Sequence, residues 1–324
     1  MSLLSIIIPC YNSEHFISQT LNMLISQDLR DCEVIVVNDG STDRTSQIAH
    51  DYENKIPCLK VIDKLNEGVS VARNTGVEHA SGRYVYFLDS DDTLAIGTLE
   101  FYRKQLMGHT EIPFFAFGYK SVKDGKKVRN FSFSKYDSKV LENKRLKKIF
   151  LTKRISFHIC SCIFERNFLI KNDIRFTEGQ KICEDVCFLL KVIAFTNSCF
   201  YLSRICFLYQ LRDDSAMQGY SNVYNYDRYK VLDYFFSICK LYFDSKGVRE
   251  YAMFFLQNAL LKNIYRYLRS DYFDYQITSN LIEKCDWFKQ RIAFGNFLNY
   301  VGINFGKVFP LKKILELKKG ENYK

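Results

Sequence analysis

The sequence predicts an α/β fold, with a mostly parallel sheet and flanking helices, followed by a mainly helical C-terminal region. The first two hundred residues alternate between apolar strand-like runs and helix-like segments, which is typical of βα units. From about residue 221 the chain instead shows successive helical patterns with few helix breakers. The 324 residues are 47% hydrophobic and 25% charged, so the chain can bury a large core. That composition excludes disordered, collagen-like and low-complexity proteins.

Strand and helix patterns follow one another regularly at the start of the chain. Apolar runs predict four strands, at residues 3–9, 33–38, 59–63 and 83–88. Ser13 is expected to cap the first helix, and residues 39–43 form a turn that leads into the second. A third helix is predicted over residues 68–80, with Gly82 beyond it in the position where glycine often ends a helix.

The pattern is looser after the fourth strand. It predicts two antiparallel strands joined by a Lys-Asp-Gly-Lys-Lys turn, a further strand, an amphipathic helix and a last strand, at residues 112–120, 128–133, 157–164, 184–195 and 199–211. Composition changes near residue 215, so we predict two domains, 1–215 and 216–324. No internal repeat or flexible linker separates them.

The C-terminal region is basic and aromatic. Residues 216–324 hold 17 Lys and Arg, 10 Asp and Glu, and 25 aromatic residues, whereas the whole chain has a net charge of +10. Two alternatives are open for these helices: they pack on the preceding domain or on a second subunit, or they lie in an anionic membrane interface. Nucleic-acid binding is not predicted, since the charge excess is modest and no recognised module is present.

Eleven cysteines are scattered through apolar runs, which favours reduced, buried thiols. The closest pairs lack a second CxxC or a histidine at zinc spacing, so a metal–thiolate site is not expected. The N-terminus does not match a signal peptide, and no run of about 18 apolar residues is present. We therefore expect a cytoplasmic protein, which would sit at the inner face of the cell membrane if the C-terminal region contacts lipid.

Acidic side chains lie where predicted strands end or where a predicted helix begins. Ligands of parallel sheets bind outside the carboxyl ends of the strands, so these positions are candidates for a functional site. The acidic residues concerned are Asp39, Asp89, Asp91, Asp92, Glu184 and Asp185.

The group at residues 89–92 is the most informative of these clusters. Three carboxylates within four residues repel one another unless a cation or solvent relieves them. Oxygen ligands in a short turn suit Mg²⁺ or Mn²⁺, which commonly share a substrate phosphate. The alternative is a solvated acidic turn in which Asp92 and Thr93 cap the following helix.

Four sequence blocks together change the interpretation of these single motifs. They occur in the order SIIIPCYNSEHFISQTL, EVIVVNDGSTDRT, NEGVSVARNTGVEHASGRYVYFLDSDD and ICEDVCFLLKV. Over about residues 3–215 the chain closely resembles the family 2 glycosyltransferases of bacterial polysaccharide biosynthesis. These are inverting enzymes with a GT-A fold that use nucleotide-diphosphate sugars. The resemblance implies a nucleotide-sugar-binding catalytic domain, a UDP-sugar donor, a glycan or lipid-linked glycan acceptor, and Mn²⁺ or Mg²⁺ as cofactor.

The resemblance also implies roles for individual residues on the donor side. Asp39 matches a position that accepts a hydrogen bond from the base of the nucleotide, and Arg73 is expected to contact ribose or diphosphate. The nucleotide edge of the site is expected to include Pro9, Tyr11 and Glu14.

On the metal and acceptor side, the resemblance implies that Asp91 is the direct metal ligand. Asp89 would contact ribose or the water shell of the metal, and Asp92 is a further candidate ligand. Asp185 matches the carboxylate that activates the acceptor, and Glu184 is its orienting neighbour.

Two positions depart from the family pattern. Gln210 replaces the first of two basic residues after the last strand, so either Arg212 alone contacts the diphosphate or the loop is organised differently. Cys183 stands where relatives commonly have glycine. A non-catalytic sugar-nucleotide-binding or scaffold protein is the main alternative function. A nucleotidyltransferase is less well supported, since residues 9–12 lack a Gly-rich basic loop.

Overall fold

The structure is a computed structural model that describes residues 2–212 and 226–268. It contains ten strands: β1 Leu4–Cys10, β2 Cys32–Asp39, β3 Leu59–Lys64, β4 Tyr84–Phe87, β5 Thr93–Leu94, β6 Phe114–Lys123, β7 Lys126–Phe131, β8 Lys139–Glu142, β9 Cys162–Glu165 and β10 Ser198–Gln210. The helices of the described residues are α1 Ile17–Ile25, α2 Thr45–Asp51, α3 Val69–His79, α4 Thr98–Gly108, α5 Asn143–Leu151, α6 Arg166–Lys171, α7 Glu184–Phe195, α8 Tyr226–Tyr242 and α9 Arg249–Leu268.

The strands form one sheet in the order β3-β2-β1-β4-β9-β6-β10-β5, with β7 added to β6 and β8 added to β10. The pairs β1/β2, β2/β3, β1/β4 and β6/β10 are parallel. Because β9 runs antiparallel to both β4 and β6, the strands β1, β2, β3, β4, β6 and β10 all point the same way. The predicted α/β class with a mostly parallel sheet is confirmed, and the carboxyl ends of six strands lie along one edge.

Buried apolar side chains explain why these strands take the centre of the molecule. All seven residues of β1 and all four of β4 are buried, which is the near-continuous apolar pattern expected of strands covered on both faces. The β6–β7 hairpin turns at Asp124 and Gly125, which have φ values of 50° and 73°. Positive φ at both turn residues is typical of a tight Asp-Gly hairpin turn. This turn is shorter than the predicted five-residue turn, because Lys126 and Lys127 already belong to β7.

Gly76 allows helix α3 to lie directly on β1. A Cβ atom at this position would lie 2.3 Å from Cγ2 of Ile7, which is closer than two carbon atoms can approach. Helix α3 also carries Arg73 and Asn74, so this contact sets the height of both side chains above the sheet.

Two predicted helix boundaries were wrong. Helix α1 begins at Ile17 after a turn, not directly after Ser13. The third helix ends at His79 with Ala80 extended, and Gly82 is required because a Cβ there would lie 2.5 Å from Oγ of Ser5. Each of these boundaries is decided by contacts with a distant part of the chain.

Two further differences concern the segments near the acidic groups. Thr93 enters strand β5, so the alternative in which Asp92 and Thr93 cap a helix is ruled out. Residues 157–164 are not one strand, because a 3₁₀ turn at Ile159–Ser161 precedes the shorter β9.

Helices α8 and α9 pack against the α/β part of the chain. Tyr242 of α8 contacts the ring of Phe195 in α7, with ring centroids 5.0 Å apart, and Phe255 of α9 contacts Phe235 of α8 at 5.2 Å. This is the packing alternative for the first part of the C-terminal region. The predicted boundary near residue 215 and the predicted amphipathic segment at 287–319 lie outside the described residues, so both stay predictions.

No helix within residues 2–212 and 226–268 has the length and apolar character needed to cross a bilayer. None of the ten cysteines that the structure describes forms a disulfide with another of them.

Candidate active site

The acidic turn after β4 is held against helix α1. Thr20 Oγ1 donates a hydrogen bond to the carbonyl oxygen of Ser90 at 2.7 Å, and the hydroxyl groups of Ser13 and Ser90 are 3.0 Å apart. Within the turn, the Asp92 N–H donates to the carbonyl oxygen of Asp89 at 3.1 Å. These contacts fix the backbone of the turn, so its three carboxylates have defined positions.

Arg73 joins the acidic turn to the start of helix α7. Its Nη2 donates to Asp89 Oδ1 at 2.8 Å, and its Nη1 donates to Glu184 Oε1 at 3.0 Å. The guanidinium lies over the ring of Phe176, and its side chain is only 4% exposed. One buried cation thus connects the acidic turn after β4 with the helix that carries Asp185.

The charges at this bridge shift the pKa values of all three groups. Burial raises the pKa of Asp89, but the positive charge of Arg73 and its hydrogen bond outweigh burial and lower the pKa. Burial lowers the pKa of Arg73, and the charges of Asp89 and Glu184 reverse this effect. For Glu184, burial and the neighbouring Asp185 raise the pKa despite the contact with Arg73.

Asp91 and Arg212 form an ion pair on the open side of the same turn. The Asp91 side chain is 29% exposed, and the guanidinium of Arg212 lies over the ring of Phe16 at 3.7 Å. Burial and the charge of Asp89 raise the pKa of Asp91, although Arg212 partly offsets them. Asp91 is therefore an accessible carboxylate that already binds a cationic side chain.

Asp92 lies beneath the turn and is 2% exposed. Its Oδ1 accepts a hydrogen bond from the N–H of Gln210 at 2.8 Å, whereas its buried Oδ2 has no hydrogen-bond partner among the residues that the structure describes. Burial, followed by the charges of Asp89 and Asp91, raises the pKa of Asp92 well above its usual value. Gln210 thus supports the acidic turn through its backbone at the position where the family pattern has a basic side chain.

Cys160 was not predicted as a site residue, yet its thiol lies beside the acidic turn. Ligand atoms of Asp89, Asp92 and Cys160 all lie within 4.8 Å of one another. Burial raises the pKa of Cys160 well above its usual value, so the sulfur stays protonated. A protonated thiol is a poor ligand for Mg²⁺ or Mn²⁺, which prefer oxygen. The oxygens of the turn fit such an ion because a cation would relieve the repulsion between them and satisfy the unpaired oxygen of Asp92.

Asp185 occupies the first turn of α7, where negative charge is favoured by the helix dipole. Its Oδ1 accepts a hydrogen bond from the N–H of Val186 at 2.7 Å. Burial raises its pKa, and the charge of Arg73 and the Val186 N–H only partly oppose this. A carboxylate with a raised pKa is a stronger base than an ordinary aspartate.

His158 is a second group that sequence reasoning missed. Its Nδ1 accepts a hydrogen bond from the Cys160 N–H at 3.2 Å, and its ring stacks on Phe207 at 4.9 Å. Burial lowers the pKa of His158 to about 4, although the charge of Asp89 opposes this. The ring is therefore neutral near pH 7 and adds no second positive charge beside Arg73. No spacing motif marked it in the sequence.

Asn74 clamps the loop that precedes helix α7. Its amide donates to the carbonyl oxygen of Phe176 at 3.0 Å and accepts from the Phe176 N–H at 2.9 Å. The sequence analysis assigned no role to Asn74, because its partner is 102 residues away.

Asp39 fixes the loop that leads into α3. Its Oδ1 accepts hydrogen bonds from Lys64 Nζ at 2.8 Å and from the Glu67 N–H at 3.1 Å, and its Oδ2 accepts from the Gly68 N–H at 2.8 Å. A carboxylate has about four acceptor positions, so one is left for a ligand.

The remaining donor-side residues lie at the ends of β1 and β2. Pro9 is buried within β1, and Tyr11 just beyond it is 50% exposed. Glu14 does not join the acidic turn: its Oε2 accepts a hydrogen bond from the N–H of Arg44, next to helix α2. The structure therefore brings together seven of the predicted site residues, Arg73, Asp89, Asp91, Asp92, Glu184, Asp185 and Arg212.

A family model described as "Glycosyl transferase family 2" matches residues 5–172, slightly more than half of the chain. The chain belongs to glycosyl transferase family 2. The resemblance read from the four sequence blocks is thereby confirmed.

Relatives of this family 2 chain act in bacterial polysaccharide biosynthesis. It is 33% identical over 226 residues to the minor teichoic acid biosynthesis protein GgaB of Bacillus subtilis, a match covering 66% of this chain and 24% of GgaB. It is 32% identical over 233 residues to the poly(ribitol-phosphate) β-N-acetylglucosaminyltransferase TarS of Staphylococcus aureus, covering 70% of this chain and 39% of TarS. The family 2 chain thus spans well under half the length of these curated relatives.

Solved structures confirm the GT-A fold. The crystal structure of S. aureus TarS 1–349 in complex with UDP-GlcNAc has a TM-score of 0.66 and 28% identity, over 92% of the family 2 chain and 81% of that structure. The mannosyltransferase PcManGT from Pyrobaculum calidifontis, in complex with GDP-Man and Mn²⁺, has a TM-score of 0.57 at 18% identity, over 98% of this chain and 84% of that one.

Cys183, which departs from the family pattern, has a left-handed backbone with φ of 58° just before α7. This conformation costs a residue with a Cβ about 1–2 kcal/mol, which explains why glycine suits the position. We expect Cys183→Gly to raise the free energy of unfolding by about 1 kcal/mol, after allowing for the greater freedom of glycine in the unfolded chain. Urea denaturation checks this, and Cys183→Val should lower stability. A Gly variant that is less stable than the parent would contradict a strained backbone at Cys183.

Proposed function

We propose that this family 2 chain is an inverting glycosyltransferase that moves a sugar from a UDP-sugar to a hydroxyl of a glycan or lipid-linked glycan. The observation that carries the proposal is the buried bridge of Arg73 to Asp89 and Glu184. The bridge brings the acidic turn of residues 89–92 close to the start of α7, which supports a metal site beside a general base. The similarity to a structure solved with UDP-GlcNAc supports a uridine nucleotide as donor.

The donor side offers polar groups for a nucleotide at the ends of β1 and β2. In this proposal, the remaining acceptor position of Asp39 binds an N–H of the uracil, as the family resemblance implies. Exposed Tyr11 provides an aromatic surface next to the base, with Pro9 and Glu14 shaping the same edge. Arg73 is proposed to act on the donor through Asp89, since both terminal nitrogens already hold carboxylates.

Mg²⁺ or Mn²⁺ would be held by the carboxylates of Asp91 and Asp89, which are 29% and 28% exposed. The buried Asp92, whose Oδ2 has no hydrogen-bond partner among the described residues, would be a further ligand. When bound, such an ion neutralises the charge that develops on a departing diphosphate. Because Asp91 would then have another partner, Arg212 would be left to contact the diphosphate.

On the acceptor side, Asp185 is the proposed general base. Its carboxylate removes the proton from the acceptor hydroxyl while that oxygen forms a bond to the anomeric carbon and the bond to the nucleoside diphosphate breaks. Attack and departure on opposite faces invert the configuration. Glu184 orients this end of α7 through Arg73.

The metal assignment is tested by measuring UDP affinity by calorimetry with and without Mn²⁺. We expect Asp91→Asn to lower the Mn²⁺-dependent affinity at least about tenfold, since one charge-assisted ligand is lost. Asp51→Asn, an exposed change of the same kind on α2, is the control and should bind like the parent. If Asp91→Asn retains Mn²⁺-dependent UDP affinity and Asp92→Asn loses it, the principal metal ligand is Asp92 and not Asp91. No UDP binding by the parent with Mn²⁺ would contradict the proposed function.

A further inference from the structure

The positive charge of the molecule is concentrated in one segment. Residues 120–154 contain thirteen Lys and Arg but only three Asp and Glu, a net charge of +10 that equals the net charge of the whole chain. The rest of the chain is therefore neutral overall, so acidic residues elsewhere balance the positive charge of the C-terminal region. Residues 120–154 include the β6–β7 hairpin and, further along, β8 and α5.

The β6–β7 hairpin begins beside the candidate active site. Val122 of β6 is in register with Gln210 of β10, and the Leu211 N–H donates to the Val122 carbonyl oxygen at 2.8 Å. The N–H of the same Gln210 supports Asp92 in the acidic turn. The hairpin thus extends outward from the edge of the sheet where sugar transfer is proposed to occur.

Five cations lie on this hairpin, with Asp124 as its only acid: Lys120, Lys123, Lys126, Lys127 and Arg129. We call this set the cationic ribbon. Residues 126–129 are exposed. Lys126, Lys127 and Arg129 make no ion pair with an acid among the residues that the structure describes.

The register places these cations on both faces of the ribbon. Lys123 pairs with Lys126, and Ser121 pairs with Arg129, so three cations share one face. Between these two pairs the register shifts, and Lys127 pairs with Val122 on the other face. A flat lipid surface can touch only one face of such a ribbon, whereas a flexible polymer can contact both.

Cations in and next to α5 contact aromatic rings of the C-terminal helices. Nζ of Lys148 lies over the ring of Tyr251 at 5.5 Å, and Nζ of the nearby Lys153 lies over the ring of Phe255 at 4.1 Å. Both rings belong to α9, so this part of the basic segment helps to pack the C-terminal helices. Lys126 and Lys127 of the cationic ribbon make no such ring contact among the described residues, and Arg129 lies over Phe131 of its own hairpin.

We propose that the cationic ribbon binds an anionic acceptor polymer with phosphodiester links and guides it to Asp185. This inference rests on the proposed function and names the class of its acceptor. Phosphodiesters are fully ionised near neutral pH, and Lys and Arg are their usual partners in proteins. A polymer that replaces counterions with several side chains gains affinity that depends strongly on salt.

The test uses a fluorescent poly(glycerol phosphate) oligomer as the probe and anisotropy as the readout, with the full chain at two salt concentrations. The ribbon variant is Lys126→Gln/Lys127→Gln/Arg129→Gln. The control variant Lys139→Gln/Lys144→Gln/Arg145→Gln removes the same charge from exposed positions of β8 and α5. We expect the ribbon variant alone to lose at least about tenfold in affinity and to have a salt slope smaller by roughly 2.

Neutral dextran of similar length, anionic vesicles and single-stranded DNA are measured in parallel. An equal loss in both variants would mean that only net charge matters and would overturn the proposal. So would stronger binding to vesicles or DNA than to the polymer. If the ribbon variant self-associates and its affinity for the polymer is unchanged, the lysines instead keep the edge of the sheet from pairing with another chain. UDP binding with Mn²⁺ should be the same in the parent and both variants, so a failure of the donor site is distinguished from a failure of the ribbon.

Discussion

Asp185→Asn is expected to keep UDP affinity and to lose sugar transfer by about 10²–10⁴-fold, the usual contribution of a positioned general base. The amide keeps the oxygen that accepts the Val186 N–H, so the start of α7 should be undisturbed. It cannot accept the proton of the acceptor hydroxyl. The measurement is UDP release with a UDP-sugar and acceptor, alongside calorimetry for UDP.

The pH dependence of the parent gives an independent check of this role. Burial raises the pKa of Asp185, and the base must be deprotonated to act. Transfer should therefore fall on acidification at a pH above the ordinary aspartate value of about 4. Asp51→Asn, which changes an exposed aspartate in the same way, should leave both the rate and the profile unaltered. Near-normal transfer by Asp185→Asn would mean that another group is the base.

Arg73→Met is expected to lower the free energy of unfolding by about 3–5 kcal/mol at pH 7, the usual cost of removing one partner of a buried ion pair. The substitution fills similar volume but leaves Asp89 and Glu184 without their cation. Guanidinium denaturation measures the effect. Arg73→Lys, with one compact cation for two carboxylates, should lie between the parent and Arg73→Met.

The sign of the pH effect separates lost charge from lost packing. In the parent, the lowered pKa of Asp89 contributes stability that is present above the unfolded pKa and is lost as pH falls through the folded pKa. In Arg73→Met the unpaired carboxylates bind protons more tightly in the folded state, so its deficit should shrink on acidification. Arg175→Met, at a 56% exposed ion pair with Glu78, should stay within about 1 kcal/mol of the parent. Equal guanidinium denaturation midpoints for Arg73→Met and Arg175→Met would show that the bridge of Arg73 to its two carboxylates does not stabilise the fold.

Much of the architecture could be predicted because local patterns decide it. The apolar runs of β1 and β4 predict buried parallel strands, and parallel strands place their carboxyl ends on one edge. The acidic groups after β2 and β4 could therefore be assigned to one site before any contact was known. Helix α7 begins and ends at the predicted residues, 184 and 195.

What could not be predicted depends on residues far apart in the chain. The partners of Arg73 lie 16 and 111 residues away, and no periodicity reports which carboxylates a buried arginine will meet. The different environments of Asp91 and Asp92 arise from Arg212 and Gln210, which lie at and just beyond the end of β10. Likewise, Cys160 reaches the acidic turn through a 3₁₀ turn where the sequence pattern indicated a continuous strand.

The contact of Gly76 with Ile7 has a consequence for exchanging parts between relatives. Because α3 rests on β1 at this glycine, the helix presents Arg73 to α7 and Asn74 to the backbone of Phe176 from a fixed height. The segment between α6 and α7 therefore depends on α3 for its position and cannot be exchanged alone. A chimera that imports this segment from a relative must bring residues 73–76 with it, since α3 and the loop that Asn74 contacts depend on each other for their positions.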